Sequence, residues 1–143
     1  MLTAKEYLSR VAVMQRCINQ KCAELEALEN TIYNASGIDN SREKVQTSVQ
    51  NKGFDKVDRK IDLQNEISMQ ITALVLLKHK VIDEIQALDR ELFIDVLFER
   101  YIENRTLEEI AVKRKYSYSH IKHIHGYALE AFRKKYADIL FAG

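Results

Sequence analysis

Not one of the 143 residues is proline, and only four are glycine. Proline removes a backbone donor and clashes with the preceding helical turn, so its absence lets helices run long and favours an all-α protein over one built on sheets. Near the start, Thr3 followed three residues later by Glu6 makes a T-x-x-E capping box, which predicts a helix from about Thr3 to Asn34. Its apolar residues Tyr7, Val11, Met14, Ile18, Leu25, Leu28 and Ile32 keep heptad spacing, interrupted where Lys21 takes a seam position. That is a coiled-coil seam about four heptads long. A helix of this length spans on the order of 45–50 Å and needs a partner helix.

Residues 34–54 are polar, hold Gly37 and Gly53, and show neither helical nor strand period, which predicts a long mobile loop. A second helix is expected from about Asp55 to Leu88, carrying Ile61, Leu63, Ile67, Ile71, Leu74, Val75, Leu77, Val81, Ile82, Ile85 and Leu88. From Ile67 onward the apolar residues occupy two adjacent faces. The first helix would cover one, and the C-terminal part or a second subunit the other. Residues 1–88 thus read as a long antiparallel helical hairpin suited to homodimerisation, and residues 89–143 as a second domain. That domain opens with a helix from about Arg90 to Glu103, whose Leu92, Phe93, Val96, Leu97 and Tyr101 form a buried face. The Asp and Glu residues lie at i, i+3 or i+4 from lysines and arginines, the usual arrangement of exposed ion pairs.

The stretch TLEEIAVKRKYSYSHIKHIHGYAL, residues 106–129, holds two helix starts in close succession. Thr106 and Glu109 form another capping box ahead of Leu107, Ile110 and Ala111, and Ser117 caps a helix whose Ile121, Ile124, Ala128, Leu129 and Phe132 make an apolar stripe. Tyr118, Ser119, His120, Lys122 and His123 are left outward near the beginning of that second helix. Two short helices across a tight turn are the outline of a helix-turn-helix, in which that end of the second helix enters the major groove of double-stranded DNA. Between Ala111 and Lys135 seven cations face Glu130 alone, a local charge of +6 in a chain whose net charge is +1. A basic helix face is by itself more often only solvated; coincidence with a groove-reading helix gives the charge its weight. Lys113, Arg114 and Lys115 suit phosphate contacts, which orient without reading sequence. Lys122 is the leading candidate for a base or phosphate contact. Tyr118 fits either a thymine methyl or the preceding helix, and Tyr116 staples the turn. The last helix should continue to about Leu140, with Gly126 costing about 1 kcal/mol relative to alanine and offering room for a close helix crossing.

Residues Arg100, Tyr101, Thr106, Glu108, Glu109, Ile110, Ala111, Ser117, Ile121, Ile124, Ala128 and Leu129 resemble the helix pair of region 4 of bacterial sigma factors. The likeness implies that fold and its docking on DNA. That family usually offers arginine and glutamate to bases where Tyr118, Ser119, Lys122 and His123 stand here, so its promoter preference does not carry over. TAKEYL at 3–8, VQTS at 45–48 and IDLQNEI at 61–67 are similar to small phage and prophage sigma-like regulators. The first half lacks the aromatic-rich melting segment of a complete sigma factor. The resemblance implies a transcriptional regulator, or alternatively an interaction protein that docks on host RNA polymerase with DNA contact secondary; a purely structural coiled-coil protein is a third class.

Other chemistries find little support. His120 and His123 share a face but His125 points elsewhere, and no cysteine or carboxylate completes a zinc ligand set. Cys17 and Cys22 are five apart on a helix, cannot readily pair, and read as reduced core or boundary residues. There is no glycine-rich phosphate loop and no nucleophile beside a base, so neither an enzyme nor a cofactor is expected. No apolar run approaches the roughly 20 residues of a membrane span, and no signal peptide opens the chain, which points to the cytoplasm.

Overall fold

The computed structural model describes residues 2–39 and 47–142. Most of these are helical and none is in a strand, so the protein is all-α. The helices are α1 (Ala4–Asp39), α2 (Thr47–Gln86), α3 (Glu91–Leu97), a π-turn (Phe98–Ile102), α4 (Leu107–Arg114), α5 (Tyr118–Lys135) and α6 (Ala137–Ala142). The capping box that starts α1 forms as read: Thr3 N–H donates to Glu6 Oε2 at 3.0 Å and Glu6 N–H to Thr3 Oγ1 at 3.1 Å. Both long helices reach into the segment expected as loop. Polar residues can extend a helix without leaving an apolar period, so the pattern ended before the helix did. The rest of that expected loop, residues 40–46, lies outside the described residues, and with it Val45 and Gln46 of the VQTS segment.

The chain divides into two compact units, Met1–Met14 with Leu74–Gly143, and Gln15–Ala73. In the second, the predicted seam holds: Ile18, Leu63 and Ile67 are buried, while Leu25, Leu28 and Ile32 are half-buried. Ion pairs Lys21–Glu66 (3.1 Å), Arg59–Glu24 (3.1 Å) and Lys60–Glu29 (3.6 Å) flank it. Such exposed pairs contribute about 0–1 kcal/mol each, so the apolar seam is the main attachment. Cys17 and Cys22 are free and exposed rather than at a core or boundary, because both stand off the seam. Val57, Ile61, Met69 and Ile71 are exposed too.

The first unit buries Ala4, Tyr7, Leu8 and Val11 from α1, Val81, Ile85 and Leu88 from around the end of α2, and Phe132 and Leu140 from the C-terminal helices. The Tyr7 hydroxyl donates to Glu84 Oε1 at 2.6 Å, and its ring lies 5.8 Å from that of Phe132. Tyr136 donates to the Glu84 carbonyl (2.8 Å), Lys135 Nζ to the Ala87 carbonyl (2.8 Å), and Leu2 N–H to the Leu140 carbonyl (3.2 Å). Burial and the acceptance of this bond by the Glu84 carboxylate push the Tyr7 phenol well above its ordinary range. A second cluster joins Val96, Ile110, Ala111, Ile121 and Ile124, with Leu92, Phe93 and Leu107 packed against it. Burying each such aliphatic side chain contributes about 1.5–3 kcal/mol.

Two helix boundaries differ from the sequence reading. The helix expected through Glu103 changes to π geometry after Leu97, closed by Glu103 N–H to the Phe98 carbonyl at 3.1 Å. The wider turn alters the phase of the side chains: Tyr101 is buried as expected, and Glu99 is buried with it. The expected single last helix breaks at Tyr136, whose backbone (φ −115°, ψ 30°) leaves the helical region before α6. No helix among the described residues is long and apolar enough to cross a membrane.

Candidate nucleic-acid interface

Local chemistry sets α4 and α5. Thr106 Oγ1 accepts the Glu109 N–H at 3.1 Å while the Glu109 carboxylate accepts the Thr106 N–H at 3.5 Å, completing the predicted box. At the other end Lys115 adopts a left-handed conformation (φ 62°, ψ 39°). Its N–H bonds the Val112 carbonyl (3.3 Å), and the Tyr116 N–H reaches back to the Ala111 carbonyl (3.0 Å), the paired bonds of a Schellman stop. Ser117 then takes an extended backbone, and its Oγ accepts the His120 N–H at 3.1 Å to begin α5. Three residues thus separate the helices. Ile121 and Ile124 of α5 pack against Ile110 and Ala111 of α4.

The sequence-derived site residues fall into two groups. Lys113 Nζ lies 2.6 Å from Glu99 Oε1, and Arg114 Nε 2.8 Å from Glu99 Oε2, with the Arg114 guanidinium also 3.4 Å from Asp95. Burial alone would raise the Glu99 pKa; hydrogen bonds and charge from Arg114 and Lys113 outweigh it and hold the carboxyl below its usual range. Arg114 is correspondingly raised by its bond to Glu99. These two cations neutralise an interior carboxylate, contrary to the reading of the acids as exposed pairs. Lys115, Ser117, Tyr118, Ser119, His120, Lys122 and His123 are all exposed. Tyr116 meets His120 edge to face, ring centroids 4.9 Å apart, which braces the turn. His123 Nδ1 is 2.7 Å from the Ser119 carbonyl. A carbonyl only accepts, so Nδ1 carries the proton, leaving Nε2 an acceptor in the neutral ring and a donor in the charged one.

The third histidine of the stretch is half-buried. His125 Nε2 shares a 2.8 Å hydrogen bond with the Tyr101 hydroxyl, and the rings stack at 5.7 Å. Burial, then the charges of Arg100 and Lys5, push the His125 pKa down to about 4, and burial pushes Tyr101 up to about 12. Among the described residues no three His, Cys, Asp or Glu side chains come together as metal ligands. Periodicity missed Glu99, whose partners lie 14 and 15 residues away, and gave no reason to single out Tyr127, 64% exposed on α5. Gly126 is exposed, and among the described residues no helix crosses it: a Cβ placed there meets no atom within 4 Å.

Electrostatically, the face rests on distribution rather than total. Residues 89–143 contain ten Lys and Arg against nine Asp and Glu, yet no carboxylate occurs from Ile110 through Leu129. The first turn of α5 carries no acid, so its positive dipole end is uncompensated by side chains, whereas α4 begins with Glu108 and Glu109. Compared with protein-family models, curated proteins and solved structures, the chain matches none.

Proposed function

We propose that the protein is a DNA-binding transcriptional regulator of the phage sigma-like kind. In this reading α3, α4 and α5 form a three-helix helix-turn-helix domain, and the leading turns of α5 enter the major groove. The long segments of α1 and α2 form a hairpin that dimerises or meets a partner. The observation that carries the reading is the start of α5: capped by Ser117, held from behind by Ile121 and Ile124, and presenting Tyr118, Ser119, Lys122 and His123 to solvent on an acid-free stretch. Lys115 and Lys122 stand exposed there, with no ion pair among the described residues. The exposed Val57, Ile61 and Ile71 of α2 support an apolar contact between two copies.

Mobility-shift titrations on phage-derived promoter fragments test the reading. The wild type should bind at low salt and weaken steeply as salt rises, because displaced counterions oppose binding. Lys122→Ala should reduce affinity by about tenfold, in the range of one lost base contact or strong phosphate contact, with no change in melting temperature. Absence of any duplex binding at low salt would remove the proposal.

A second reading, docking on host RNA polymerase with DNA contact secondary, gains from the engagement of Lys113 and Arg114 by Glu99 and Asp95, which leaves fewer cations for phosphate than the sequence count gave. Exposed Val112 and Tyr127 suit a protein surface. A polymerase pull-down that survives Lys122→Ala but fails after substitutions in α3 would favour it.

A further inference from the structure

We infer that Gly126 is a contact point for the duplex itself, the place on α5 where a sugar-phosphate strand comes against the helix backbone; this rests on the DNA-binding reading above. The residue is a puzzle for the fold. It sits in the interior of an 18-residue helix, where glycine is the poorest ordinary helix former. Nothing in the unit needs the missing side chain, since an added Cβ meets no atom within 4 Å. Its backbone does not need glycine either, for the positive-φ residues among those described are non-glycine, Asn104 and Lys115. A helix-weakening residue with no internal use is explained by something outside the chain that must come close.

Position identifies that neighbour. At about 100° per residue, Gly126 falls within roughly 20° of Ser119 on the helix, on the crest opposite buried Ile121, Ala128 and Phe132. Lys122 and His123 flank the line between them. From Tyr118 to Gly126 the helix rises about 12 Å, about the width of the major groove in which a recognition helix lies. With the first turn of α5 over the base edges, Gly126 stands about one groove width along, at the level of the flanking phosphate strand. The surroundings suit a polyanion: the first carboxylate beyond this point is Glu130, engaged by Arg133 Nε at 3.0 Å. Exposed Tyr127 follows directly, with a hydroxyl able to reach a phosphate oxygen.

The experiment compares wild type, Gly126→Ala and Gly126→Gln for thermal melting and for affinity, by fluorescence anisotropy, toward a duplex selected by the wild-type chain from a randomised pool. The alanine variant should melt about 2–4 °C higher, as a better helix former in a domain of this size does, yet bind the duplex about tenfold more weakly, with glutamine weaker still. Wild-type affinity in both variants overturns the contact while leaving the DNA-binding reading intact. A lower melting temperature for alanine overturns it as well, by showing an internal need for glycine. If the wild type selects no duplex, the DNA-binding reading falls and this contact with it.

Discussion

Helices α4 and α5 begin alike and end in opposite roles. Each is capped by a hydroxyl that accepts the N–H three residues on, Thr106 for α4 and Ser117 for α5. In α4 the cap is closed by Glu109, and the cations of the last turn reach inward to Glu99. In α5 no acid enters the first turn and the outward residues have no carboxylate near them in sequence. One helix is tied into its own unit; the other is left available. The difference teaches that a lysine or arginine counts toward a partner only after the acids supplied by other elements have been placed, and those acids are invisible to any window of sequence.

The strongest way to break this comparison is at Glu99. Its side chain is 4% exposed, that of Lys113 48%, and that of Arg114 26%. Removing one member of a buried pair costs about 3–5 kcal/mol, discounted here because the two cations left behind can reach water. Glu99→Ala should therefore lower unfolding free energy by about 2–4 kcal/mol in urea titration, and Lys113→Ala by clearly less. A loss for Glu99→Ala no greater than the roughly 0.5 kcal/mol of a surface substitution would mean that α4 is not held by this carboxylate, and that Lys113 and Arg114 are as available as Lys122.

What could be read from the chain, and what could not, follows the same division. Thr3 with Glu6, Thr106 with Glu109, and Ser117 are interactions within three residues, and the seam residues repeat at helical spacing within each helix, Tyr7, Val11 and Ile18 along α1 and Leu63 and Ile67 along α2. Both kinds of signal are local. Tyr7 to Glu84 spans 77 residues and Tyr101 to His125 spans 24, so no spacing rule reaches them. Glu99 was hidden for a further reason: the π-turn changes residues per turn, so a constant α-helical period assigns it to the wrong face. The break at Tyr136 carries neither glycine nor proline, and the polar ends of α1 and α2 carry no apolar period. At the candidate site the exposed residues of α5 were legible because its buried stripe was; the inward pairing of Lys113 and Arg114 was not.

Acid should sharpen the contrast between the two faces of α5. On the half-buried side of α5, His125 is held neutral, with its pKa lowered to about 4 from the ordinary 6.5. Because the unfolded chain binds this proton more readily, stability from His125 is fully present above pH 6.5 and is lost as pH falls toward 4. Glu99, also lowered in the folded state, adds a loss that begins below its ordinary 4.5. Between pH 6.5 and 4 the first effect should amount to on the order of 2 kcal/mol, and His125→Gln should flatten that part of the pH–stability curve while leaving the lower limb in place. An unchanged curve in the variant would mean that the loss of stability between pH 6.5 and 4 does not come from His125.

The smallest effect lies at the turn that separates the two helices. Lys115 adopts the left-handed conformation (φ 62°) that glycine takes without steric cost, and a non-glycine residue there carries a penalty of about 1–2 kcal/mol. Lys115→Gly relieves it but adds freedom to the unfolded chain, so the net gain should be about 0.5–1 kcal/mol, read as a rise of about 2–3 °C in melting temperature. The same variant removes an exposed cation beside the start of α5. If Lys115 touches phosphate, the more stable protein should bind duplex less well and the salt dependence of binding should fall by about one unit of slope. Gain of stability with unchanged binding and unchanged slope would confine Lys115 to the turn and shift the phosphate or base contact at the start of α5 onto Lys122.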